Sequence, residues 1–145
     1  KAYHHLYGMK TVAFRYTNVY GERARHVGTY APCVSKFIKM KKEGQPLTIF
    51  GDGEQRRDFI HVSDVVNANT VISFEELDNW GEVYNIGYGE NWSVNEIANA
   101  ISEDQVHLSA KPGEMKETLA DIRKAKTELT WKPKVNILDW IKTQV

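Results

Sequence analysis

A guanidinium set just past a glycine turn suits a phosphate or diphosphate, because its planar fork offers parallel N–H groups to two oxygens and its charge is permanent. The segment LTIFGDGEQRRDFIHVSDV, residues 47–65, has this form: a β-rich run, a turn carrying Gly51 and Gly53, the pair Arg56 and Arg57, and a helix start. Arg57 is therefore the first candidate for anion binding. The competing reading is that adjacent arginines after a turn are solvated surface groups, whose ion pairs contribute little.

The same block resembles the Gly-Asp-Gly-x-x-x-Arg-Asp-(Phe/Tyr)-Ile-x-Val-x-Asp-(Val/Leu) segment of the extended short-chain dehydrogenase/reductase superfamily, in its NAD-dependent nucleotide-sugar epimerase/dehydratase branch, typified by UDP-glucose 4-epimerase. Further segments fall in that family's order: RYTNVYGER (residues 15–23), VYNIG (83–87), KPGE (111–114), ADIRKA (120–125) and LTWKP (129–133). The resemblance covers nearly the whole chain and is specific for the family, not for one member.

The resemblance implies a set of roles. Arg57 would grip the nucleotide diphosphate and Asn18 would contact the nucleotide sugar. Thr48 and Phe50 would meet a uracil or thymine base through backbone hydrogen bonds and ring packing. Lys111 stands where many relatives have arginine, keeping the charge but losing the fork. Glu114 would take the ribose hydroxyls. Tyr30 and Pro32 fall in the loop that closes over the sugar. Tyr16 and Thr17 occupy the positions flanking the nicotinamide of NAD, the second of which is often phenylalanine. In the intact enzyme a tyrosine would remove a sugar hydroxyl proton while NAD takes the hydride, before reduction on the other face or dehydration.

Two parts of that chemistry are missing from these 145 residues. The ten glycines form no G-x-G-x-x-G, the dinucleotide fingerprint. None of the seven tyrosines has a lysine four residues on, so no Tyr-x-x-x-Lys pair and no catalytic residue is assigned. Residues 1–8, KAYHHLYG, resemble the second half of the helix that carries this pair. The expectation is that residues 1–145 form the substrate-binding, carboxy-terminal half of a nucleotide-sugar epimerase/dehydratase, with the amino-terminal NAD-binding half absent. Such a half would be inactive alone, would not hold NAD tightly, and would expose apolar surface for the missing half or for a homo-oligomer. The alternative is a non-catalytic nucleotide-sugar binding or oligomerisation module.

Composition narrows the partners. Lys plus Arg and Asp plus Glu number 19 each, giving zero formal net charge, which argues against nucleic acid as the main partner. The lone Cys33 excludes an internal disulfide and fits a reducing compartment. The histidines have no ligand spacing, so no metal is expected. No apolar run approaches the ~20 residues of a membrane span, and a cytoplasmic protein is expected. Asp52, Glu54, Asp58, Asp64 and Asp121 read as caps and turn residues rather than as a paired-carboxylate catalytic centre.

The elements that must position these groups alternate strand and helix, so the fold class expected is α/β: the last part of the parallel sheet of an extended Rossmann-type epimerase with a small α/β lobe. Strands are expected at residues 11–16, as a buried strand, and at 47–50, 83–86 and 106–109. Helices are expected at residues 34–43, stopped by Gly44; from Ser63 or Asp64 to 76; from the capping box Ser93–x–x–Glu96; from Asp121 to about 129; and over the apolar group 135–141. Val19 and Tyr20 read as core, with the Tyr20 hydroxyl a possible ligand contact.

Overall fold

β-branched and aromatic side chains at residues 12–16 favour an extended chain, and Val12–Tyr16 forms β1. It pairs in parallel with β6 (Glu82–Ile86), Val12 opposite Glu82 and Tyr16 opposite Ile86. The computed structural model describes residues 1–28, 31–74, 77 and 79–145. Tyr30 and the expected helix end at residue 76 lie outside them.

The full order is α1 (Ala2–Tyr7), β1, β2 (Asn18–Tyr20), α2 (Cys33–Lys42), β3 (Leu47–Phe50), β4 (Arg56–Arg57), β5 (Phe59–His61), α3 (Val62–Phe74), β6, β7 (Trp92–Ser93), α4 (Val94–Asn99), β8 (Gln105–Leu108), α5 (Arg123–Glu128) and α6 (Ile137–Lys142). The pairs β1–β6, β2–β5 and β3–β8 are parallel, and β4–β7 is antiparallel. Parallel neighbours need a crossover between them, here supplied by helices, as an α/β fold requires.

Two cores hold these pairs. Val34 and Phe37 of α2, Leu47 and Ile49 of β3, Ile97 of α4 and Ile141 of α6 form one. Ile60, Ala68, Tyr84, Ile86, Leu129 and Trp131 form the other. In β3 the pleat sends Leu47 and Ile49 into the core and leaves Thr48 and Phe50 on the opposite, half-buried face. The expected capping box is present: Ser93 Oγ accepts from the Glu96 amide at 3.0 Å and the Glu96 carboxylate accepts from the Ser93 amide at 2.7 Å. Such a cap stabilises its helix by about 1 kcal/mol.

Several expectations are corrected. β1 is not a buried strand, since Ala13, Arg15 and Tyr16 are exposed and its ladder partner is β6 on one side. Helix α3 starts at Val62 and uses neither Ser63 nor Asp64 as a cap. The Ser63 amide donates to His61 Nδ1 at 3.2 Å, and Asp64 Oδ2 accepts the Lys134 and Val135 amides at 3.0 Å each, tying the chain after α5 to α3. The Tyr20 hydroxyl donates to the Val135 carbonyl at 3.1 Å, and its ring packs on His61 and Trp140, so Tyr20 serves the core and not a ligand. The strand expected at 106–109 runs from Gln105 to Leu108.

No helix among the described residues is long and apolar enough to cross a membrane.

Candidate functional site

The turn after β3 is built to aim the residues that follow it. Gly51 and Gly53 have φ of 73° and 76°, a region disfavoured for side-chain-bearing residues. A Cβ on Gly53 would also collide with the Asn95 side chain. Asn95 closes the turn: its amide donates to the Gly53 carbonyl at 3.0 Å and its Nδ2 to the Asp52 carbonyl at 2.9 Å. Asp52 Oδ1 accepts the Glu54 amide at 3.0 Å. The short extended segment beyond is therefore fixed against the start of α4.

Alternation along that segment separates the two arginines. Arg56 is structural: its Nε donates to Asn91 Oδ1 and its Nη2 to the Asn91 carbonyl, both at 2.8 Å, and Nη2 lies 3.0 Å from Glu96 Oε2. Arg57 points the other way, into a cavity of about 420 Å³ that it shares with Asn18, Gln55 and Glu114. Its side chain is 15% exposed, its Nη1 donates to the Arg56 carbonyl at 2.8 Å, and its Nη2 lies 3.6 Å from Glu114 Oε1.

Two further cavities abut this one. The first, about 380 Å³, is lined by Thr48, Phe50, Lys111 and Glu114 together with Cys33 and Met40 of α2. The second, of similar volume, runs from Phe50 past Gln55 and Glu114 to Lys116. The Lys111 ammonium sits over the Phe50 ring at 3.8 Å from its centroid, a cation–π contact. Asn18, Thr48, Phe50, Arg57, Lys111 and Glu114 thus converge on one continuous groove. Burial pushes the Cys33 thiol on its wall up to about 11.

Asp58 anchors this arrangement from behind. It is fully buried, and its two carboxylate oxygens accept four hydrogen bonds: Thr17 Oγ1 at 3.1 Å and the Tyr88 amide at 2.8 Å on Oδ1, and the Gly89 and Ala120 amides at 3.1 Å on Oδ2. A buried carboxylate is tolerated only when donors replace its water. A Cβ on Gly87 would lie 2.7 Å from Asp58 Oδ2 and 2.8 Å from the Thr17 methyl, so glycine is what lets these loops close on the carboxylate. Sequence reasoning took Asp58 for a turn residue; a signal was its place directly beside Arg57 in the quoted motif.

The remaining candidates lie apart from the groove. Tyr16 has an exposed ring at the end of β1, and its hydroxyl donates to Asn69 Oδ1 at 3.3 Å. The Thr17 hydroxyl is committed to Asp58. Gln55 was not singled out from sequence, although it stands two residues before Arg57 in an extended segment and so faces the same way. Among the described residues no cluster of three or more His, Cys, Asp or Glu is arranged to hold a metal ion.

Comparison with known proteins gives the family and the fold. The family model "NAD dependent epimerase/dehydratase family" matches residues 1–87. A UDP-glucuronate 4-epimerase of Thermodesulfobacterium geofontis is 36% identical over 99% of this chain, which spans 44% of that protein. A crystal structure of UDP-glucose 4-epimerase with UDP-glucose, from Thermotoga maritima, superposes with a TM-score of 0.88 at 34% identity, covering 99% of this chain and 47% of that one. A UDP-glucuronic acid 4-epimerase from Bacillus cereus, in complex with UDP-glucuronic acid and NAD, gives 0.85 at 35% identity over 99% of this chain and 46% of that one. The chain spans less than half the length of these relatives.

Proposed function

From the membership of this chain in the NAD-dependent epimerase/dehydratase family, we propose that residues 1–145 are the nucleotide-sugar binding portion of a sugar epimerase or dehydratase. The observation that carries this reading is the convergence of Arg57, Asn18, Thr48, Phe50, Lys111 and Glu114 on one groove. Five of them, all but Thr48, supply what a part of a nucleoside diphosphate sugar needs. Phe50 offers a ring to stack on the base, and Glu114 offers an acceptor to the ribose. Arg57 brings a forked cation to the diphosphate, and the Lys111 ammonium over the Phe50 ring adds a positive charge at the base end of the groove. The Asn18 amide both donates and accepts at the sugar end. The relatives crystallised with UDP-glucose and UDP-glucuronic acid support this assignment of ligand class.

NAD is the cofactor of the family. When bound it accepts and returns a hydride. The residues at hand fit it in part: the exposed Tyr16 ring lies at the end of β1, where a flat ring can pack, whereas the Thr17 hydroxyl is held by Asp58 and is not offered. The 145 residues carry no glycine-rich dinucleotide loop and no Tyr-x-x-x-Lys pair. In this reading the chain binds and orients the sugar, is inactive in isolation, and relies on an amino-terminal NAD-binding half for the chemistry. The exposed apolar side chains Tyr3, Leu6, Tyr7 and Met9 around α1 support docking against that half or against a second copy.

Calorimetric titration with UDP-glucose and, separately, NAD tests the proposal. Micromolar binding of UDP-glucose without NAD binding is expected. Binding of NAD alone would contradict it.

A further inference from the structure

Gln55 and Glu114 are the two residues that line all three abutting cavities. Gln55 has so far no ligand role, yet it is held at both ends. Its main-chain carbonyl accepts the Val94 amide at 3.1 Å, and its Nε2 donates to the Phe50 carbonyl at 3.0 Å. A carbonyl only accepts, so Nε2 must face Phe50 and the side-chain oxygen Oε1 is turned the other way. Among the described residues Oε1 takes no hydrogen bond. The result is a half-buried amide whose orientation is locked by the backbone of β3 and which leaves the acceptor Oε1 unpartnered beside the groove, with one N–H of Nε2 still free.

The order of the groove says what that acceptor meets. Phe50 and Lys111 mark one end and Arg57 the other, and Gln55 and Glu114 lie between. In a nucleotide the ribose lies between base and phosphate, and its vicinal hydroxyls are two donors side by side. Resting on the nucleotide-sugar reading above, we infer that Gln55 Oε1 and the Glu114 carboxylate form an acceptor pair that reads the ribose diol, one hydroxyl each. The pair together thereby selects ribonucleotides over deoxyribonucleotides. A deoxy ligand lacking the hydroxyl that Gln55 takes leaves Oε1 without a partner in a site closed by the ligand itself.

A cycle of three ligands against two proteins tests this: UDP, 2′-deoxy-UDP and 3′-deoxy-UDP are titrated into the unaltered chain and into Gln55→Met, whose side chain has similar length and no amide. The variant is expected to lose about tenfold in affinity for UDP and for the deoxy ligand that retains the hydroxyl read by Gln55, and to bind the other deoxy ligand as the unaltered chain does. Equal losses for all three ligands, or no loss for any, would overturn the inference while leaving the nucleotide-sugar reading intact. Failure of the unaltered chain to bind UDP would overturn both. Should Gln55→Met fail to melt cooperatively, Gln55→Asn, which keeps the amide but withdraws it by one methylene, carries the same comparison with the same outcomes.

Discussion

The Arg57 guanidinium and the Glu114 carboxylate lie 3.6 Å apart across the groove, with Arg57 much the more buried of the two. At that separation they attract without a tight hydrogen bond, so in the free protein each partly satisfies the other. In the proposed complex they part, Arg57 turning to the diphosphate and Glu114 to the ribose.

This exchange separates two ligands. Glu114→Gln removes the anion that competes with phosphate for Arg57, and it also removes the charged acceptor for ribose. Inorganic pyrophosphate, which has no ribose, is expected to bind the variant a few-fold more tightly than the unaltered chain. UDP is expected to bind about tenfold more weakly. Calorimetry with both ligands checks this, and a change of the same sign for both would contradict the exchange.

Asp58 predicts a stability effect out of proportion to its chemistry. In Asp58→Asn one acceptor oxygen becomes an NH2 group. Placed at Oδ2 it would face the Gly89 and Ala120 amides; placed at Oδ1 it would face the Tyr88 amide and the Thr17 hydroxyl. Either choice sets a donor against a buried backbone donor. A loss of about 3 kcal/mol is expected in denaturant unfolding. Because the loops tied by Asp58 lie behind Arg57, UDP affinity should fall as well.

Much of this was legible beforehand, and the misses share a cause. Helix α4 and strand β3 were readable because a capping box and a β-rich run bounded by glycine are local signals. Strands β2, β4, β5 and β7 span two or three residues, too short for any period to register. Arg57 stood out as a residue type, but only the alternation along β4 distinguishes it from Arg56, which Asn91 and Glu96 hold from the other side. The partners of Asp64 and Tyr20 lie some seventy or more residues away in sequence, so local reading took one for a cap and left the other open as a ligand contact. The exposure of β1 depends on which neighbours are present, and its own residues do not encode that.

Cys33 gives a pH-dependent probe of the groove wall. Burial raises its thiol to about 11, and a raised thiol pKa favours the neutral, unreactive form, so thiolate accumulates only as the pH climbs toward that value. At neutral pH, alkylation by iodoacetamide should run roughly three hundredfold slower than for free cysteine, whose pKa is near 8.5, and should accelerate with rising pH. Saturating UDP should slow it further, since Cys33 lines the cavities assigned to the ligand. Rapid labelling at neutral pH, or labelling that UDP leaves unchanged, would contradict this placement.

The central claim is that Arg57 binds the diphosphate of a nucleotide. Its most direct test is a calorimetric titration of UDP into the unaltered chain and into Arg57→Ala, with melting curves to confirm that both are folded. The account predicts micromolar binding to the first and a loss of at least about tenfold in the second, as expected when a charge-assisted hydrogen bond to phosphate is removed. Equal affinity for UDP in the two proteins would contradict it.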